Sequence, residues 1–227
     1  MSQITFTRPD GKECSGHYVE PKGGKTAPAV VVIQEWWGLN DQITGVAQRY
    51  ADQGYRALVP DLYRGQKTVE AKEAEHLMGN LNFGDAAGQD IRGAVQYLKQ
   101  TSAKVGVVGY CMGGALTLLS AVFVPEADAA VAWYGFPPLD YIDASKIKAP
   151  LLGHFATEDQ FFPIGQVDLL EEKLKAAGVN YTFHRYKAQH AFANETLDNP
   201  PIPAKYDRTA AETAWERTVL FFNRHLR

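Results

Sequence analysis

Apolar positions along this chain come in short runs separated by amphipathic stretches, and the two patterns alternate. Runs at 29–33, 57–60, 105–108, 129–134, 151–156 and 181–186 read as strands. Several are apolar at every position, as strands covered on both faces are. Helical spacing falls between them, at 42–53, 85–100, 112–122, 165–177 and 204–224. Asn40 or Asp41 caps the first of these helices, and Gly54 and Gly178 stand where a left-handed residue ends a helix. The alternation predicts a mostly parallel sheet flanked by helices, an α/β fold. The chain opens differently. Residues 4–7 and 13–19 flank Asp10-Gly11, a good tight-turn pair, so an antiparallel hairpin is expected there.

The 227 residues suffice for one domain with a full core, taken here as 1–227. The longest irregular stretch, 61–84, leaves a strand end and is expected to act as a lid, with a short helix at 69–78. A second loop, 194–203, is rich in Asn and Pro and is expected to skirt the same rim. Ligands of such sheets bind beyond the carboxyl ends of the strands.

Composition narrows the partners. Hydrophobic residues make up 45% and charged residues 22%, with a net charge of −3. That balance gives no reason to expect a nucleic acid or an anionic membrane surface as partner. No apolar run approaches the roughly 20 residues that span a bilayer. The opening residues lack an export pattern, so a cytoplasmic location is expected, with Cys14 and Cys111 as free thiols. The histidines show no paired metal-ligand spacing, so no metal and no cofactor is expected. A monomer is expected.

The segment VGVVGYCMGGALTLLS, residues 105–120, carries the chemistry. A buried strand runs into Gly109-Tyr110-Cys111-Met112-Gly113 and on into a helix. This is the nucleophile-elbow pattern with cysteine at its centre. The glycines are needed because the turn is too tight for a Cβ, and the sulfur falls at a helix N-terminus, where the dipole favours thiolate. An isolated cysteine would read as a small buried hydrophobe; this context favours a nucleophile. Cys14, on the hairpin, has no such context.

A nucleophile needs a base, and the base an orienting group. Asp159 follows an apolar strand; alone it would read as a turn acid, and Glu158 is its rival. His190 lies in a loop after the last strand; alone it would read as a solvated side chain. Taken together, Cys111, Asp159 and His190 follow the nucleophile–acid–histidine order of α/β-hydrolases. His154 and His184 lie within strands, His17 in the hairpin, His76 on the lid and His225 at the C-terminus, which sets them aside. Glu35 raises its own question: it ends the strand 29–33 beside Trp36 and Trp37, where a carboxylate is costly to desolvate unless something needs its charge.

Together QEWWG, GYCMGG, ATEDQFFP and AQHAFAN resemble the dienelactone hydrolase (carboxymethylenebutenolidase) family of the α/β-hydrolase superfamily, in order and over nearly the whole chain. The resemblance implies an α/β-hydrolase fold and cleavage of a lactone, ester or thioester as small-molecule substrate. It also implies that Glu35 contacts the resting Cys111 thiol and controls its ionisation, and that the backbone N–H groups of Trp36 and Met112 form an oxyanion hole. Trp37, Tyr63, Tyr134 and Phe192 become candidate pocket walls, although each could equally belong to the core. One departure stands out. Members acting on dienelactone carry an arginine four residues after the histidine, where this chain has Asn194, and another on the lid, where it has Lys67 and Lys72 but no arginine beyond Arg64. Asn194 is thus a candidate substrate contact, and dienelactone itself is put in question, because lysine replaces an arginine carboxylate clamp poorly. The alternative on the same fold is a non-catalytic small-molecule binder or a redox-sensing protein.

Overall fold

The computed structural model describes residues 2–22, 24–197 and 200–227. Eight strands form one sheet: β1 (Ser2–Thr7), β2 (Glu13–Val19), β3 (Ala29–Ile33), β4 (Arg56–Pro60), β5 (Val105–Tyr110), β6 (Ala129–Trp133), β7 (Leu151–Ala156) and β8 (Tyr181–Tyr186). Their spatial order is β1-β2-β4-β3-β5-β6-β7-β8. β1 and β2 pair antiparallel through the Asp10-Gly11 turn, and β2 pairs antiparallel with β4. From β4 to β8 every pairing is parallel. The carboxyl ends of β3, β4, β5, β6, β7 and β8 therefore open onto one edge, and each candidate residue follows one of those ends.

Helices cover both faces. α1 (Asp41–Asp52) and the C-terminal helix pack on one side; on the other, residues 83–99 and the elbow helix do so. β3 shows why its run is wholly apolar. Val30 and Val32 join the first cluster, with Tyr50 of α1, while Val31 and Ile33 join the second. All four are fully buried, each worth about 1.5–3 kcal/mol of transfer free energy. Asn40 is the cap of α1, its Oδ1 accepting from the Ile43 N–H at 3.1 Å. Gly54 and Gly178 both have positive φ, +87° and +68°, as helix-terminating residues do.

The remaining helices are α2 (Ala71–Asn80) within the 61–84 segment, α3 (Phe83–Asp85), α4 (Arg92–Lys99), α5 (Met112–Phe123), α6 (Ile164–Ala176) and α7 (Arg208–Leu226). Most boundaries fall within two residues of the sequence pattern, α2 among them, and two departures go further. The expected helix 85–100 is α3 and α4 joined by a wider π turn at Ala86–Ile91, which buries Asp90. The last helix starts at Arg208 and not at 204, because Asp207 caps it, its Oδ1 accepting from the Ala210 N–H at 2.9 Å. Within the 194–203 loop, residues 198 and 199 lie outside the described residues. Among the described residues no helix is long and apolar enough to cross a membrane.

Candidate active site

β5 delivers Cys111 to the sheet edge in a strained turn. Its φ of +55° and ψ of −117° lie where a non-glycine residue is disfavoured. The flanking glycines make the turn possible. A Cβ on Gly109 would sit 2.0 Å from the Gly113 carbonyl oxygen, and one on Gly113 would sit 2.5 Å from that of Ile33. Gly135, after β6, closes the other side, since its Cβ would lie 1.9 Å from the Cys111 carbonyl oxygen.

The side chains after β7 and β8 meet the sulfur. His190 Nε2 lies 3.1 Å from Cys111 Sγ, and His190 Nδ1–H donates to Asp159 Oδ2 at 2.8 Å. Asp159 also behaves as a turn acid: its Oδ1 accepts from the N–H groups of Phe161 and Phe162, each at 2.8 Å. The carboxylate is thus fixed by its own turn before it orients the imidazole. Phe161, Phe162 and Tyr134 surround the imidazole, with ring centroids 4.9, 5.5 and 5.3 Å away. Burial works against imidazolium, but the charge of the adjacent sulfur and the Asp159 hydrogen bond outweigh it and push His190 up to about 10. His154, set aside from the sequence, is a neutral core residue. It bridges the Tyr186 hydroxyl and Thr218 Oγ1, and burial pushes it well below the usual imidazole value.

Glu35 sits at the end of β3, buried, and lines the same cavity as Cys111. Among the described residues its carboxylate makes no hydrogen bond to the sulfur. Asn194 Nδ2 donates to Oε2 at 2.6 Å and the Tyr134 hydroxyl donates to Oε1 at 3.2 Å. The side-chain hydrogen bonds of Glu35 run to this pair, and that of the sulfur to His190. Burial raises the Glu35 pKa, offset in part by the Asn194 hydrogen bond, the charge of His190 and the Tyr134 hydroxyl. Asn194 has no exposed surface, so it supports Glu35 from behind and does not meet substrate, correcting its reading as a substrate contact.

The cavity has a volume of about 230 Å³ and is lined by Trp36, Trp37, Met78, Phe161, Phe162 and Ile202, with Cys111, Met112 and His190 at its floor. The N–H groups of Trp36 and Met112 face no backbone acceptor among the described residues. Of the four aromatic wall candidates only Trp37 lines this cavity. Tyr134 turns inward on a φ of +37° to reach Glu35, and Phe192 is packed fully in the core with it. Tyr63 is buried and donates its hydroxyl to Met112 Sδ at 3.2 Å. The walls come instead from Phe161 and Phe162, which the Asp159 turn places beside His190, and from Met78 of α2. Among the described residues no group of three or more His, Cys, Asp or Glu could hold a metal ion.

A parallel sheet whose central strand feeds a glycine-flanked elbow into a helix, with an acid and a histidine following later strands, defines the α/β-hydrolase class. The chain belongs to the dienelactone hydrolase family, whose model matches residues 15–226. It is 33% identical to Protein usf of Aquifex pyrophilus and 31% identical to a "Putative carboxymethylenebutenolidase" of Aquifex aeolicus, each over 100% of both chains. Among solved structures, a dienelactone hydrolase-type protein of Klebsiella pneumoniae, itself so named provisionally, superposes with a TM-score of 0.84 at 25% identity, covering 99% of this chain and 100% of that one.

Proposed function

We propose that this protein hydrolyses a carboxylic ester, lactone or thioester, with Cys111 as nucleophile, His190 as acid and base and Asp159 as its orienting carboxylate. The observation that carries the reading is the continuous Sγ–imidazole–carboxylate contact at the floor of an apolar cavity. Cys111 Sγ, its proton passed to His190 Nε2, attacks the substrate carbonyl carbon and the carbonyl electron pair moves to oxygen. The N–H groups of Trp36 and Met112 receive that oxyanion. Collapse expels the alkoxide or thiolate, which takes the proton from His190 Nε2. Water then attacks the thioester, giving its proton back to His190, and collapse releases the carboxylic acid and restores the sulfur.

The test is hydrolysis of p-nitrophenyl acetate by wild type and Cys111→Ala, with electrospray mass of the quenched protein. Wild type is expected to turn over and to carry one acetyl group on Cys111 in the steady state. Cys111→Ala is expected to lose at least about 1,000-fold in kcat/KM. Turnover retained in the variant removes Cys111 from the role. A wild type that binds esters without cleaving them makes the protein a binder.

A further inference from the structure

Resting on that reading, the structure assigns the cavity to uncharged substrates: an ester or lactone with an apolar acyl group and no free carboxylate. Three observations carry this. First, the described lining residues include no lysine or arginine, and the only ionisable side chains among them are Glu35, Cys111 and His190. His190 is already committed, with Asp159 on one nitrogen and the sulfur against the other. A carboxylate entering this space would lose its water and find no counter-ion.

Second, the acid already present faces inward. Glu35 is fixed at the wall by Asn194 and Tyr134, both neutral donors, so nothing there draws in a second carboxylate. When Glu35 is ionised it repels one outright.

Third, the basic residues near the rim stand outside this lining. Arg64 donates to both oxygens of Asp90, at 2.8 and 3.0 Å, on the far side of the lid. Lys67 lines a separate depression with Asp61 and His17. Lys72 lines an adjoining depression that shares Trp37, Leu197 and Ile202 with the cavity, so it stands beyond the cavity wall and not in its lining.

The experiment compares mono-p-nitrophenyl adipate with its methyl ester, which share the scissile bond and differ in one negative charge, the uncatalysed rate of each being subtracted. Expected is a kcat/KM for the methyl ester at least about 30-fold higher than for the free acid. Met78→Arg, which puts a guanidinium on the lid wall, is expected to narrow that ratio at least about fivefold. A ratio is independent of how much of the variant folds. Wild-type values within threefold of each other overturn the assignment, as does a preference for the free acid. If neither compound is cleaved, the hydrolase reading fails separately. Protection of Cys111 from iodoacetamide by the two compounds then decides the selectivity: stronger protection by the methyl ester upholds it, and equal or weaker protection overturns it.

Discussion

His190 shows at the scale of one residue how the proposed acid and base is tuned by its neighbours. At rest its imidazole is buried, which disfavours charge, yet the sulfur and Asp159 hold it protonated up to about 10. Its contribution to stability is therefore complete below the ordinary imidazole value of about 6.5 and is lost as pH rises through about 10. In the proposed reaction acylation would change the balance, because a thioester sulfur carries no charge. The imidazole then keeps Asp159 but loses the sulfur's contribution, and its affinity for a proton falls at the step that needs a base. The expected result is a pH profile for deacylation, read from stopped-flow single turnovers, with its midpoint clearly below that of His190 in the free enzyme by NMR titration. Coincident midpoints would show that the sulfur does not set the resting value. The three polar residues of this argument were legible in the sequence because the elbow and the order of its partners are local patterns. The walls were not. An aromatic residue after a strand end reads alike whether its backbone turns it toward the pocket, as at Phe161, or into the core, as at Tyr134 and Phe192. Asn194 was marked as unusual by sequence, but only its burial against Glu35 shows that it holds that carboxylate.

At the scale of elements, the elbow depends on close backbone approach, and two glycines separate that requirement from ordinary helix tolerance. A methyl on Gly109 would meet the Gly113 carbonyl at 2.0 Å and the Thr117 hydroxyl at 2.7 Å, so β5 and α5 would have to part. Gly109→Ala is expected to cost about 3 kcal/mol or more and to abolish hydrolysis. Gly45 lies on the exposed face of α1, where a methyl meets nothing within 4 Å. Gly45→Ala is expected to stabilise by about 0.5–1 kcal/mol. Urea unfolding of the two variants checks both signs. The elements were mostly legible because strand burial and helix spacing are written in consecutive residues. The misread boundary before α7 has a physical cause. Alanines at 204, 210 and 211 continue a helical pattern, but the Lys205 N–H donates to the His190 carbonyl and the Asp207 N–H to that of Phe192. Those long-range bonds hold the chain extended behind the His190 loop until Asp207 can cap the helix.

At the scale of the whole molecule, a buried charge cluster joins segments far apart in sequence. Asp90, in the π turn, has 2% of its side chain exposed and lies between two guanidiniums. Arg8, from the hairpin, donates to it at 3.0 Å and also pairs with Asp10 and Asp85. Arg64, where the lid leaves the sheet, donates to it from the other side, adopts a φ of +54°, and also donates to the Asp61 carbonyl and Cys14 Sγ. Burial and the charge of Asp90 raise the Cys14 thiol to about 12, so Cys14 stays neutral and structural. Asp90 thus ties the lid base and the antiparallel hairpin to the helical layer, and the two arms differ in solvent access. Arg8 is 5% exposed and Arg64 45%. Removing the shared acid leaves Arg8 buried with one partner fewer, so Asp90→Ala is expected to cost about 3–5 kcal/mol. Arg64→Ala, on the exposed arm, is screened by water and should cost no more than about 1 kcal/mol. Urea titration of both variants at low and high salt measures the difference: the Arg64 loss should shrink in 1 M NaCl while the Asp90 loss persists. Equal losses, or an Asp90 loss that salt removes, would mean that the lid is anchored by its packing and not by this cluster.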